Sequence, residues 1–195
     1  MTIDHSNFGK LFPCPACVSP PRQSDYLQSV CNLTAQERGY TFRGWWPNTE
    51  PRKAALRECL DALASKGWLT LSGAFGSGKS YLAAAIVNES LARKVEARYW
   101  MVSSLLDHLR DAYDPKRADP YSNVLHDLVN CPVLVLDECH VWSATPWAME
   151  KFRQLASERY RRSLDCLTVW VTNLDPTDTA QIPAELEFLF SRMSQ

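Results

Sequence analysis

Residues 73 to 80 read GAFGSGKS, and this octapeptide constrains the chain more than any other stretch of its 195 residues. Glycines at 73, 76 and 78 let the backbone turn sharply and aim its N–H groups inward. Those donors, with the dipole of a following helix, can cradle phosphate oxygens. Lys79 is spaced to reach the β- and γ-phosphates of a nucleotide, and the Ser80 hydroxyl to ligate Mg²⁺. The motif carries this meaning only between a strand and a helix. Residues 68 to 72 are a short apolar strand pattern, and residues 79 to 94 are rich in alanine and leucine and read as a helix. The expected phosphate-binding residues are Gly73, Ala74, Phe75, Gly76, Ser77, Gly78, Lys79, Ser80 and Tyr81.

The flanking pattern extends the fold. A helix is expected over 53 to 66, with Leu56, Leu60 and Leu63 on one face and Gly67 ending it. A strand follows at 97 to 102, then a helix at 103 to 112 capped by Ser103 or Ser104. Residues 113 to 120 contain Pro115 and Pro120 and read as a loop. Then come a helix at 121 to 130, an apolar strand at 132 to 137, a long helix at 146 to 163, a strand at 166 to 172 and a last helix at 183 to 193. Thr145 before Pro146 is a helix-start signal. Strands separated by helices of this length indicate an α/β fold with a mostly parallel sheet covered on both faces. Such sheets bind ligands beyond the carboxyl ends of their strands.

Two further features fall at strand ends. VLVLDE, residues 133 to 138, places Asp137 where it can help hold Mg²⁺ and Glu138 where it can polarise an attacking water. VWVTN, residues 169 to 173, ends in Asn173, whose amide can meet the γ-phosphate or that water. An asparagine at a strand end is otherwise a common turn residue. Near the end of the chain, Arg192 after Ser191 is a candidate to stabilise transition-state charge, or a solvated terminal arginine. The adjacent Asp-Glu pair favours hydrolysis over transfer to a small acceptor. No acceptor-binding lid of the kind a small-molecule kinase needs is recognisable.

Other groups are less specific. Lys151, Arg153, Arg159, Arg161 and Arg162 share one predicted helix. They read equally as a solvated face or as a contact for single-stranded nucleic acid or a neighbour's phosphates. Cys14 and Cys17 form a CPAC pair that resembles half of a zinc site, with Cys31 as a candidate third ligand and no clear fourth. Unliganded thiols are the alternative. Cys59, Cys131, Cys139 and Cys166 fall in or beside core elements and read as structural. His140 reads as a loop residue. Trp45 and Trp46 are candidates to anchor the preceding segment on the domain.

Composition narrows the class. Apolar residues make up 46% of the chain, enough for a core, and the net charge of -1 gives no global pull toward nucleic acid. No apolar run is long enough to span a membrane, and the start lacks the apolar stretch of a signal peptide. The reading is a cytoplasmic protein, in which cysteines are more often thiols or ligands than disulfides. Residues 1 to 35 hold three cysteines, four prolines and little periodicity. Residues 36 to 52 read as a linker and 53 to 195 as the main domain.

The order GAFGSGKS, VLVLDE, VWVTN and SR resembles the AAA+ class of P-loop nucleoside triphosphatases. More narrowly, it resembles replication helicase loaders of the DnaC/DnaI type and the related IstB transposition helpers. TPWAMEKFRQLASERYRR before VWVTN carries part of that narrower likeness, as does the cysteine-bearing segment ahead of the core. The resemblance covers roughly residues 40 to 193. It implies a three-layer sandwich with ATP and Mg²⁺ as ligands. It implies phosphate contacts from residues 73 to 79, Mg²⁺ contacts from Ser80 and Asp137, and water activation by Glu138. It gives Asn173 a sensor role and Arg192 the role of arginine finger. It further implies head-to-tail assembly on single-stranded DNA and engagement of a replicative ring helicase. The family pattern continues beyond the arginine with another core strand, whereas this chain stops at Gln195. A core truncated at its C-terminus, with an unpaired edge beside the phosphate-loop strand, is therefore expected. So is an alternative role as an ATP-gated adaptor that hydrolyses little.

Overall fold

A computed structural model describes residues 23–113, 121–139 and 145–175, with residues 178 and 187. Cys14, Cys17, His140, Ser191, Arg192, residues 114–120 of the proline loop and all of the last expected helix but residue 187 lie outside the described residues. Helix α1 (Gln23–Val30) is followed by two short 3-10 turns at Glu37–Gly39 and Phe42–Gly44. Helix α2 (Glu50–Ser65) has a proline in its first turn, as helix starts favour. It buries Cys59, Ala62 and Leu63, while Leu60 is 43% exposed. The expected stripe of Leu56, Leu60 and Leu63 is thus rotated, because α2 rests on the domain along a narrow seam centred on Cys59 and Leu63. Lys66 ends the helix with φ 67° and donates its N–H to the Ala62 carbonyl at 2.9 Å. Gly67, at φ 92°, turns the chain straight into strand β1 (Gly67–Ser72).

Helix α3 (Lys79–Ala92) is apolar around most of its circumference, with residues 82 to 87 all buried. Such a helix belongs in the interior. Strand β2 (Ala97–Met101) runs directly into α4 (Val102–Asp111), whose N-cap is Met101 and has no side-chain cap. Ser103 and Ser104 therefore fall inside the first turn and do not cap it, because the helix starts off the strand without a loop. Helix α5 (Tyr121–Asn130) leads to β3 (Val133–Asp137). Helix α6 (Pro146–Arg161) begins as expected, with Thr145 accepting from the Ala148 N–H at 3.2 Å. Strand β4 (Leu167–Thr172) is buried at every position.

The four strands are parallel in the order β1-β4-β3-β2. Alternation divides β3 and β4 between two cores. Val133, Val135, Val169 and Val171 face α1, α2 and α3. Leu134, Leu136 and Trp170 face α4, α5 and α6, where the Phe152 ring lies 5.0 Å from that of Trp170. This is the expected three-layer sandwich. Among the described residues β1 is an edge strand, and no described helix is long and apolar enough to cross a membrane.

Arg159 corrects the reading of the basic helix. It is 0% exposed. Its Nε donates to Thr168 Oγ1 at 2.8 Å, its Nη1 to the Leu128 and Cys131 carbonyls at 2.7 and 2.9 Å, and its Nη2 to the Leu167 carbonyl at 2.7 Å. Burial pulls its pKa down, yet its charge faces the negative end of the α5 dipole. Arg161 pairs with Glu158 at 3.0 Å, and Arg162 donates to Asn130. The five cations therefore do not form one face, and Arg159, enclosed by the fold, is not open to a ligand; it ties α6 to the end of α5 and the start of β4. Arg159→Met should strand several buried acceptors and cost about 3 kcal/mol or more. For a chain of this length that corresponds to a fall in Tm of roughly 6–12 °C, measurable by thermal denaturation. An unchanged Tm would remove this role.

Candidate functional site

The loop between β1 and α3 is built on three glycines in the left-handed region, Gly73 at φ 139°, Gly76 at 72° and Gly78 at 98°. Gly78 is also the N-cap of α3, and a Cβ there would meet the Trp45 ring at 2.5 Å. A side chain at Gly78 is thus excluded twice, by conformation and by packing. The Lys79 ammonium donates to the Gly73 and Ala74 carbonyls at 2.8 and 2.9 Å. It bridges the two arms of the loop above the helix N-terminus. Burial lowers its pKa while Asp137 opposes the shift, so the nearby carboxylate helps keep the charge on.

Insertion of β4 between β1 and β3 places Asn173 between the phosphate loop and the acidic tip of β3. Lys79, Ser80, Asp137, Glu138 and Asn173 line one cleft of about 270 Å³, with Phe75 and Gly76 at its rim. The residues expected to act together thus meet at the carboxyl ends of the strands. Asp137 is buried, and its Oδ1 accepts the Glu138 N–H at 2.6 Å. Glu138 has φ 57°, unusual for a residue with a side chain. The chain then returns to the sheet, with the Cys139 N–H donating to the Val171 carbonyl at 3.1 Å. Glu138 is therefore a one-residue turn-out from the ladder that presents its side chain to the cleft, and such strain tends to persist at functional positions.

Tyr81 does more than line the cleft. Its hydroxyl donates to the Thr41 carbonyl at 3.0 Å, and its ring stacks on Tyr40 at 4.4 Å. Asn88, two turns along α3, donates to the Glu37 and Tyr40 carbonyls at 2.8 and 2.7 Å. These contacts clasp residues 37 to 45 onto the helix that carries the phosphate loop. Trp45 is buried under Arg52, whose guanidinium lies 4.7 Å from its ring. Trp46, by contrast, is 74% exposed, so only the first tryptophan anchors the linker. A groove of about 510 Å³ runs from Trp45 and Arg52 along β1 to Lys79.

Sequence reasoning missed Tyr99. It lies on β2, is buried, and its hydroxyl donates to Asp137 Oδ2. Burial first, then the Asp137 charge, push its pKa well above the usual tyrosine range, so it stays a donor. Ser80 lines the same cavity as Tyr99 and Asp137. Nothing in ARYWM distinguishes Tyr99 from Trp100 as the side chain that meets the site; only the register, Tyr99 opposite Val135, decides it.

The cysteine expectations divide. Cys59, Cys131, Cys139 and Cys166 are buried thiols outside any disulfide, and burial pushes the Cys131 thiol up to about 11. They are core thiols, as expected. Cys31 is buried too and donates to the Gln28 carbonyl at 3.2 Å. Among the described residues no group of three His, Cys, Asp or Glu side chains could hold a metal, so a zinc role for Cys31 finds no support. A hydrogen-bonded thiol inside an apolar cluster is already satisfied by the fold.

Hard oxygen donors on Ser80 and Asp137, beside a glycine-built loop at the N-terminus of α3, suit a nucleotide with a small divalent cation. Solved structures share the fold. The chain superposes on DnaI with a TM-score of 0.66 at 21% identity, covering 85% of this chain and 92% of that one. For the DnaC helicase loader the values are 0.63 and 20%, covering 83% and 89%. For AMPPCP-bound DnaA from Aquifex aeolicus they are 0.67 and 16%; there the match covers 80% of this chain but 47% of that one. No curated protein matches the chain by sequence. The family described as IstB-like ATP binding protein matches residues 32–175, most of the chain, and the protein with this AAA+ P-loop fold belongs to that family.

Proposed function

We propose that the protein hydrolyses ATP and uses the cycle to act on a DNA-bound protein assembly, in the manner of a helicase loader in DNA replication. The observation that carries this reading is the convergence of Lys79, Glu138 and Asn173 on one cleft. A binding module needs the lysine but not a turned-out glutamate facing the phosphates. Mg²⁺ held by Ser80 and Asp137 would neutralise charge on the β- and γ-phosphates. The chain's own residues do the rest. The loop N–H groups and Lys79 bind the phosphates, Glu138 accepts a proton from the attacking water, and Asn173 orients the γ-phosphate or that water. The family match favours a second reading, a transposition helper, and the likeness to DnaI and DnaC favours loading. Copurification with a replicative helicase or with a transposase separates the two. Either role places the protein in the cytoplasm with the DNA.

Lys79→Ala should greatly weaken ATP binding while leaving the fold intact, because water can take over the ammonium's bonds to the Gly73 and Ala74 carbonyls but not its charge facing the phosphates. Glu138→Gln should bind ATP as the parent does, with turnover lower by about 10²-fold or more. Titration with a fluorescent ATP analogue and a steady-state phosphate-release assay read the two effects. Equal turnover in parent and Glu138→Gln would move water activation elsewhere, and a parent that binds without turnover would make the protein an ATP-gated adaptor.

Arg192 is assigned to a neighbouring subunit's nucleotide, in a head-to-tail assembly on single-stranded DNA. A heterologous contact of that kind extends into an open spiral. Specific activity should then rise with protein concentration and with single-stranded DNA, and salt should weaken the DNA effect. Mixing Arg192→Ala, which keeps a competent site, with Lys79→Ala, which keeps a finger, should restore turnover. A mixture that stays inactive beside an active parent contradicts action in trans.

A further inference from the structure

We infer that Tyr99 is a positioning residue for the metal-holding half of the site, its hydroxyl fixing the Asp137 carboxylate and setting how it presents oxygen to Mg²⁺ beside Ser80. The inference rests on the reading of Ser80 and Asp137 as Mg²⁺ contacts. Tyr99 stands in the middle of β2, opposite Val135 and two positions from the pair Met101 and Asp137. Strand alternation therefore puts its ring on the same side of the sheet as the Asp137 side chain, the side that α3 covers. From there the phenol reaches forward to Asp137 Oδ2. The other carboxylate oxygen accepts the Glu138 N–H at 2.6 Å.

Each oxygen of Asp137 thus has one fixed donor. An ionised carboxylate offers about four lone-pair sites, so acceptor capacity is left on both oxygens for a metal ion or its waters. Ser80 faces the cavity that Tyr99 and Asp137 also line, with its hydroxyl lone pairs available to the metal. Together these bonds tie the middle of β2 to the tip of β3 through Asp137. The outer edge of β2 is held as well, where the Tyr99 N–H donates to the Cys31 carbonyl at 2.9 Å.

Packing alone does not call for this hydroxyl. A phenylalanine would fill the same space, and a buried hydroxyl is costly unless it is bonded. The Tyr99 hydroxyl is bonded to one of the groups that would hold the ion, Asp137, and lines the same cavity as the other, Ser80. Phosphate binding by the loop and Lys79 lies on the other side of Ser80 and does not involve it. Loss of the hydroxyl should therefore weaken the metal's contribution and spare the nucleotide's own.

The test uses the full chain and a fluorescent ATP analogue, titrated with Mg²⁺ and, separately, in EDTA. In Tyr99→Phe the Mg²⁺ concentration that half-maximally tightens analogue binding should rise by about tenfold or more, as is usual when a group supporting a metal ligand is lost. Affinity in EDTA and the Tm should match the parent. Combining Tyr99→Phe with Asp137→Ala should add nothing to the Mg²⁺ defect of Asp137→Ala alone, because the tyrosine acts through that carboxylate. An unchanged Mg²⁺ half-point in Tyr99→Phe, or fully additive defects in the double variant, overturns the inference. So does a Tyr99→Phe protein that melts well below the parent or loses affinity equally in EDTA, which would assign the hydroxyl to the fold. A parent whose analogue binding ignores Mg²⁺ would instead overturn the metal reading beneath it.

Discussion

Strand β4 is hydrogen-bonded along both edges, to β1 from Gly67↔Leu167 to Ser72↔Thr172 and to β3 from Val133↔Leu167 to Leu136↔Trp170. These two parallel ladders share a register, so the three strands end at one level. The phosphate loop leaves the end of β1, Asn173 leaves β4, and Asp137 and Glu138 leave β3. Shifting β4 by one residue would send Trp170 to the face now filled by Val169 and Val171. The buried partners on both faces therefore enforce the register on which the cleft depends. At the opposite end of the strands, Arg159 fastens α6 to the start of β4 and to the last carbonyls of α5. The site is assembled at one end of the sheet and pinned at the other.

A second layer of organisation connects the site to the segment before α2. Tyr81 and Asn88 hold residues 37 to 45 against α3, and Trp45 packs over Gly78. The phosphate loop thus has a wall that comes from outside the strand-and-helix core. On the other side, Asn32, Thr34 and Glu37 share a cavity of about 520 Å³ with Tyr99, Asp137 and Glu138. The chain between α1 and α2 therefore reaches both sides of the cleft, packing through Trp45 against Gly78 and sharing a cavity with Tyr99 and Asp137.

Local signals were legible in the sequence and long-range ones were not. Thr145 and Pro146 announced the start of α6 because a capping hydroxyl and a helix-compatible φ are properties of two adjacent residues. The phosphate loop was legible for the same reason: its glycines answer to their own φ angles. The sheet order could not be read, since the place of β4 depends on partners some thirty and a hundred residues away. Arg159 looked like one cation of a solvated run because its acceptors belong to α5 and β4. Leu60 looked buried because a leucine stripe gives the period of a helix but not which side a narrow neighbour will cover. Tyr99 was hidden in an aromatic strand whose register alone aims one ring at Asp137.

The proposed chemistry requires one cleft to hold the terminal phosphate between Lys79, Asn173 and Glu138. The most direct measurement is the position of the γ-phosphate in a crystal structure with Mg²⁺ and a non-hydrolysable ATP analogue. The expected result has the Lys79 ammonium moved from the Gly73 and Ala74 carbonyls to the phosphates, Asn173 within hydrogen-bonding reach of the γ-phosphate, and the Glu138 carboxylate facing it. An analogue whose phosphates lie elsewhere, for instance in the groove beside Trp45 and Glu58, with Lys79 still bonded to its own loop, would contradict the account.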